Sequence, residues 1–331
     1  MSKNGKVAWG VLSTARIGVG KVIPSMMQGQ YSDVVAICSR DVRKAQSAAH
    51  QLGIPKAYGS YEELIADPGV EAVYIPLPNH MHVPWAVKCL EAGKHVLCEK
   101  PLAMNAREAE DFEGKTAQFP NLKVMEAFMY RFHPQWEKVR GLLREGAIGT
   151  VRWMHSHFLY NNTNPNDIRN RPETGGGGLL DIGCYCISVS RLLFEDEPTV
   201  VRGVVDIDPA TKTDRLVSAI LEFRNGMASF SCSTKALPGQ GTEIVGTDGR
   251  IKIELPFTPP PDMKARIVID RGSGKQEEIA FEPCNQYTLQ GDAFSRAILR
   301  GTQVPTPLSD GIQNMRVIDR IRENSGGSNP H

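Results

Sequence analysis

The sequence predicts two fold classes in succession: a doubly wound α/β sheet, then an α+β unit on a large, mostly antiparallel open sheet. Three observations carry this. Short apolar, β-branched runs alternate with helical segments through about residue 128, the pattern of a parallel sheet covered on both faces. From about residue 200 strand follows strand, with tight turns at "RNGM", "TDGR" and "RGSGK", which is how antiparallel strands are joined. The grammar changes near residues 124 to 131, so the chain divides into 1–124 and 125–331.

The elements follow in order. "KVAWGVL" reads as a strand and Ala15 to Gln28 as a helix. "DVVAICS" is the second strand, followed by a helix from Asp41 to Leu52. An extended piece near Ala57 precedes "SYEELIAD", where Ser60 and Glu63 form a capping box. "VEAVYIPLP" is a strand, and the helix after it ends at Gly93, a left-handed terminator. "HVLC" is a strand, Asn105 caps the next helix, and "LKVMEAF" closes the first sheet. Then come the helix "HPQWEKVRGLLREG", the long strand "VRWMHSHFLY", a glycine run and the helix "DIGCYCISVSRLLF". Seven strands lie between Val200 and Phe281. Helices at Thr288–Arg300 and Gly311–Glu323 finish the fold before a tail, "SGGSNPH", expected to fray.

Composition narrows the function. Formal net charge is +1, so nothing steers the chain toward nucleic acid. No signal peptide and no apolar run of membrane-spanning length stands out. Seven scattered cysteines without C-x-x-C spacing read as reduced thiols in a cytoplasmic protein. No histidine–carboxylate cluster has metal-ligand spacing, and His155 and His157 alternate along a strand as partly exposed sheet residues.

The loop "GVLSTARIG" (10–18) follows the first strand and opens the first helix. A dinucleotide fingerprint asks for G-x-G-x-x-G/A. Gly10 and Ala15 fill its outer places, while Leu12 occupies that of the second glycine. The loop residues Gly10, Leu12, Ser13, Thr14, Ala15, Arg16 and Ile17 are the candidate phosphate grip, at a helix N-terminus. After the second strand stands "CSRD". Ser39 and Arg40 occupy the place where an acid would bind an unphosphorylated ribose. A hydroxyl plus a guanidinium suits a 2′-phosphate, so NADP is the expected cofactor. Asp41 leaves NAD open, and the plain alternative has Ser39 capping the next helix.

Lys100, in "HVLCEKPLA", lies past the carboxyl end of a strand, where ligands collect in open α/β sheets. Pro101 biases it toward extended backbone. Here the chain resembles the glucose–fructose oxidoreductase/inositol dehydrogenase/MocA oxidoreductases. "EKPLA" is similar to their signature, as are "PLPNHMH" (76–82), "EAFMYRFHPQ" (126–135) and "GGGGLLDIGCYCI" (175–187). The resemblance implies a Rossmann nucleotide-binding domain and a substrate-binding, oligomerising domain. It implies cofactor contacts from Pro76, Leu77, Asn79, His82, Glu99 and Lys100, and catalytic roles for Lys100, Asp181 and Tyr185. His82 has a second reading as a helix cap. Tyr185, where many members have His, resembles the branch with NADP-dependent xylose dehydrogenases and dihydrodiol dehydrogenases.

Asp181 and Tyr185 are four apart, so in a helix they share a face. Alcohol oxidation releases a hydride to the cofactor and a proton to the protein. Tyr185, helped by the Lys100 ammonium, takes that proton on one reading; Lys100 takes it on the other. Asp181 orients the substrate or Lys100. Arg131, His133 and Arg169 are candidate substrate contacts, with a domain-linking salt bridge as the alternative for Arg131. The glycines at 175–178 permit close backbone approach, or form a flexible loop. The expected substrate is a neutral sugar or polyol, such as an aldose oxidised at C1 or formed by the reverse reduction. A cyclic dihydrodiol, a keto-sugar, or a non-catalytic NADP sensor are the alternatives. A homodimer or homotetramer through the second sheet is expected, since a broad sheet face otherwise meets water.

Overall fold

The computed structural model describes residues 5–272 and 275–325. Most of the expected frayed tail and the centre of the "RGSGK" turn lie outside the described residues. The chain forms two compact units: residues up to Met129 with Asn285–Ile312, and Tyr130–Cys284 with the residues from Gln313.

The first unit holds strands β1 (Val7–Leu12), β2 (Ser32–Cys38), β3 (Lys56–Tyr58), β4 (Ala72–Ile75), β5 (His95–Cys98) and β6 (Val124–Glu126). They form one parallel sheet in the order β3-β2-β1-β4-β5-β6. Every residue of β4 is buried, as a central strand covered on both faces requires. Helices α1 (Ile23–Met27), α2 (Val42–Leu52), α3 (Tyr61–Ala66), α4 (His82–Glu91) and α5 (Ala106–Thr116) cross between the strands. Their starts follow local chemistry: the side chains of Asp41, Ser60 and Asn105 each accept a backbone N–H of the first turn, satisfying donors a helix cannot pair itself. Gly93 follows α4 at φ +75°, as expected. The segment before α1 differs from a plain α-helix, since Gly18–Val22 is a π-helical turn.

The sequence division at 124/125 differs from the observed units, because residues 285–312 return to the first. Trp9 of β1 explains this. Its indole N–H donates to Ser295 Oγ at 3.0 Å, and its ring packs 5.6 Å from Phe294. Asp292 accepts the backbone N–H groups of Gln30 and Tyr31, each at 2.9 Å.

The second unit carries α6 (Pro134–Arg144), β7 (Val151–Asn161), α7 (Cys184–Phe194) and strands β8 (Val200–Ile207), β9 (Asp214–Phe223), β10 (Gly226–Ser233), β11 (Lys235–Gly246), β12 (Arg250–Ile253), β13 (Arg266–Asp270) and β14 (Gln276–Ala280). The sheet order is β14-β13-β12-β11-β7-β10-β9-β8. All pairs are antiparallel except β7 with β10. Alternation along β9 is strict: Val217, Ala219 and Leu221 are buried, while Leu216, Ser218, Ile220 and Glu222 are exposed, so one face meets the core.

The expectation of no apolar run of membrane-spanning length is corrected: Pro172–Phe194 is long and apolar enough by length and composition. In the fold 83% of its apolar window is buried. A helix apolar all round suits the interior of a unit.

Candidate active site

In the first unit the chain leaves β1 for β2 and β3 on one side, then returns to β4, β5 and β6 on the other. The reversal lies between β1 and β4, and ligands of open α/β sheets sit beyond the strand ends there. The loops after those strands meet: Ser13 Oγ donates to Pro76 O at 3.4 Å. Ser13 has φ +89°, and its hydroxyl accepts the Ala15 N–H. This turn presents Thr14, Ala15, Arg16 and Ile17 ahead of the helical segment, the place for a phosphate. Gly10 has a different task. An added Cβ there would lie 2.6 Å from Leu64, so this glycine seats α3 against β1. Leu12 is fully buried, which leaves only its backbone to serve the loop.

At the end of β2, Asp41 caps α2 by accepting the Arg43 N–H at 3.0 Å. Ser39 is therefore not the cap; its hydroxyl accepts the Asp41 N–H at 3.3 Å. Arg40 is exposed, and its charge lies near the Tyr61 hydroxyl. Ser39 and Arg40 thus fit a ribose phosphate, while Asp41 already has a backbone partner.

Beyond β5, Glu99 accepts the Tyr74 hydroxyl at 2.6 Å and the Lys100 N–H at 3.3 Å. The peptide between Lys100 and Pro101 is cis. His82 is corrected from the sequence reading: it is neither an exposed cofactor contact nor a helix cap. Its ring is fully buried, with Nδ1 2.8 Å from Pro101 O and Nε2 2.8 Å from Leu77 O. It clasps the loops after β4 and β5, and burial pushes it down to about 4 against the pull of the two carbonyls. Asn79 opens the short turn Asn79–Met81 in the same loop.

In the second unit a π-helical turn, Leu179–Gly183, leads into α7. Asp181 lies in that turn and Tyr185 in α7, and strand β7 shows that they share a face. The Phe158 ring meets Tyr185 edge-on at 5.6 Å. Two residues along the same strand face, Tyr160 donates its hydroxyl to Asp181 Oδ2 at 2.7 Å. Tyr130 and Phe257 also pack on the Tyr185 ring, at 5.8 and 5.6 Å, leaving it 4% exposed.

The glycine run is a close approach rather than a loose loop. An added Cβ on Gly177 would sit 2.0 Å from Asp214 Oδ1, and one on Gly176 2.6 Å from Arg169 O. Asp214 Oδ2 accepts the Leu179 N–H at 2.6 Å. Sequence reasoning missed both Tyr160 and Asp214. The alternation of Phe158 and Tyr160 was visible, but their partners were not.

Of the three candidate substrate residues, His133 departs from expectation. His133 is 3% exposed, accepts the Gln135 N–H and packs its ring on Phe281; burial pushes it down to about 4. It is a helix cap in the core, so its place among substrate contacts is withdrawn. Arg131 donates to Ser188 Oγ from Nε and Nη2, at 3.2 and 2.7 Å. Arg169 Nε donates to Asp181 Oδ2 at 3.0 Å. His155 and His157 are half-buried sheet residues, and His155 Nδ1 lies 3.0 Å from Ser229 Oγ. Among the described residues no group of three or more potential ligands could hold a metal ion. The cysteines are free thiols; burial drives Cys98 and Cys186 well above the usual range, which removes them as nucleophiles.

Residues 9–122 match the oxidoreductase family with an NAD-binding Rossmann fold, and residues 136–252 match the GFO/IDH/MocA C-terminal domain. The chain belongs to the Gfo/Idh/MocA oxidoreductases. Within this family it is similar to D-xylose 1-dehydrogenase (NADP(+)) 2 of Haloferax volcanii, 36% identical over 96% of this chain and 97% of the relative. It is also similar to trans-1,2-dihydrobenzene-1,2-diol dehydrogenase of Xenopus laevis, 40% identical over 74% of each chain. Among solved structures, the 3-ketoreductase KijD10 of Actinomadura kijaniata, in complex with NADP and TDP-benzene, superimposes with a TM-score of 0.90 at 28% identity, covering 96% of this chain and 98% of that one. This Gfo/Idh/MocA chain is thus an NAD(P)-dependent oxidoreductase with a parallel Rossmann sheet and a large, mostly antiparallel second sheet.

Proposed function

We propose that the chain is an NADP-dependent dehydrogenase that oxidises a sugar, such as an aldose at C1, or runs the reverse reduction. The observation that carries this reading is the pair Asp181 and Tyr185, set on one face by Tyr160 and Phe158. The first unit binds the nucleotide. The turn from Ser13 to Ile17, with the backbone of Gly10 and Leu12, holds its phosphates, and Ser39 with Arg40 holds the 2′-phosphate. Pro76, Leu77, Asn79, Glu99 and Lys100 hold its nicotinamide end, with His82 shaping the loop from behind. When bound, the cofactor supplies hydride chemistry.

The chain's own residues handle the proton. As the substrate C–H bond gives up its electron pair, the hydroxyl proton passes to Tyr185. A phenol titrates near pH ~10 in water, so a cation must favour its ionised form. Lys100 is the sequence's candidate for that charge, and Asp181 orients a substrate hydroxyl. The substrate is a neutral, hydroxyl-rich molecule. The relative named as a D-xylose dehydrogenase, covering nearly the whole chain, supports a sugar.

A second reading has its own support. One relative is named for a dihydrodiol, and the half-buried Phe158 ring beside Tyr185 offers an apolar surface that suits such a flatter, less polar ring. The second sheet also serves association, as a homodimer or homotetramer. Val204, Ile220 and Met227 on its strands are 72%, 53% and 50% exposed.

The test is absorbance at the reduced-nicotinamide band with purified protein, NADP or NAD, and a panel of aldoses, polyols and dihydrodiols. Turnover of an aldose with NADP supports the first reading, and turnover only of the dihydrodiol supports the second. Tight NADP binding without turnover of any compound leaves a sensor and overturns both.

A further inference from the structure

Asp181 is held from two directions. The Tyr160 hydroxyl donates to its Oδ2 at 2.7 Å, and Arg169 Nε donates to the same oxygen at 3.0 Å. Neither donor is a loose side chain. Tyr160 stands on β7 between two paired residues: Leu159 faces Ser233 of β10 and Gly239 of β11, and Asn161 faces Lys235 of β11. Arg169 stands on a loop pinned to the strand end: Asn170 Nδ2 donates to Asn162 O at 3.2 Å and Asn164 O at 2.7 Å. The Arg169 N–H and guanidinium also reach Asp167 Oδ1, at 3.0 and 3.4 Å. The Arg169 carbonyl accepts the Gly177 N–H at 2.9 Å.

Charge reinforces the arrangement. Burial, then the Asp181 charge, drives the Tyr160 phenol far above its ordinary range, and Asp181 likewise holds Arg169 charged. Tyr160 therefore stays an O–H donor across physiological pH, unlike a phenol recruited to carry a proton. The contacts also have a direction. Phe158 and Tyr160 lie two apart on the strand; Tyr185 and Asp181 lie four apart on the helical segment. One strand face thus sets both the position of the phenol ring and the pitch of the carboxylate.

We propose that Tyr160 is a positioning residue of the active site, fixing the Asp181 carboxylate together with Arg169, so that Arg169 serves Asp181 rather than the substrate. This rests on the reading of Asp181 and Tyr185 given under Proposed function. A carboxylate fixed by two charge-assisted or strongly polar donors has one orientation to offer. Without the phenol it swings, and misplacement of an orienting group by about 1 Å costs on the order of 10²-fold in turnover.

The experiment is a double-mutant cycle with Tyr160→Phe and Asp181→Asn, measuring kcat and KM on the substrate the panel identifies, with NADP binding followed by fluorescence. Tyr160→Phe is expected to lower kcat about tenfold or more and to leave NADP affinity unchanged. In the Asp181→Asn background the same change is expected to have almost no effect, because residues acting through one partner are not additive. Arg169→Gln should repeat the pattern, and carries the test if Tyr160→Phe fails to bind NADP. Parental turnover by Tyr160→Phe, or an equal loss in both backgrounds, overturns the proposal while leaving the proposed function intact. A parent protein that binds NADP and turns over nothing overturns the function first, before any variant is compared.

Discussion

Asp214 and Leu179 join the second sheet to the helical segment before α7: the buried carboxylate accepts the Leu179 N–H at 2.6 Å, at the entrance of the segment that carries Asp181 and Tyr185. Gly177 stands before Leu179 because this carboxylate takes the space a side chain there would need, while Gly176 leaves room for the Arg169 carbonyl.

Asp214 should make stability depend on pH. Burial raises its carboxyl to about 6 from an ordinary 3.8, against the Leu179 N–H and the Arg322 charge. A raised folded value means that its contribution is fully present below about 4 and is lost as pH rises toward 6. The loss is roughly 3 kcal/mol at 1.36 kcal/mol per unit. Asp214→Asn keeps an acceptor for Leu179 and removes the ionisation. Denaturant unfolding at pH 4.5 and 7.5 should show a smaller difference for the variant than for the parent, and a variant at least as stable at pH 7.5. An unchanged pH difference would exclude Asp214 as its source.

Gly177→Ala should be severe. Gly177 sits at φ +110°, and the new methyl would lie 2.0 Å from Asp214 Oδ1. Backbone strain of about 1–3 kcal/mol adds to the displaced carboxylate, so the midpoint of urea unfolding should fall sharply. Gly114→Ala is the control: it stands in α5 with nothing within 4 Å of the added atom, and should stabilise by up to about 1 kcal/mol.

Cofactor choice should rest on Arg40. Removing a charge-assisted contact costs about 1.5–3 kcal/mol, so Arg40→Ala should raise KM for NADP by about 10- to 100-fold and leave KM for NAD nearly unchanged. Equal loss with both cofactors would place Arg40 outside the phosphate site.

Proton transfer should separate Tyr185 from Lys100. Tyr185→Phe is expected to cut kcat by about 10²–10⁴-fold, the usual contribution of a positioned acid–base group. Lys100→Met should lower the rate and move the alkaline limb of the pH–rate profile. Full turnover by Tyr185→Phe would hand the proton to Lys100.

Association should fail when the outer sheet face is charged. Ile220→Glu with Met227→Glu places two carboxylates on positions 53% and 50% exposed, at no cost to the core. Light scattering should report a smaller species than the parent. An unchanged mass would put the interface elsewhere.

Much of the fold was legible because its signals are local. Strand periodicity, the Ser60 and Asn105 caps and the Gly93 terminator each depend on a few neighbouring residues. The return of residues 285–312 to the first unit was not, since nothing in "QGDAFSRAIL" names Trp9 as its partner. The candidate site divides the same way. Lys100, Asp181 and Tyr185 stood out because each lies in a compact motif beside a strand end or helix start. His82 and His133 misled because a histidine next to such a motif looks the same whether it faces a ligand or the core.

By itself the sequence determined the two-part architecture, the nucleotide loop after β1 and the family, since periodicity and short motifs are written in consecutive residues. Only the tertiary structure decided what holds the site in place. Tyr160 and Asp181 are 21 residues apart, and Asp214 and Leu179 are 35 apart. A hydrogen bond forms over about 3 Å of space, and separation along the chain says nothing about that distance until the sheet and helix have packed.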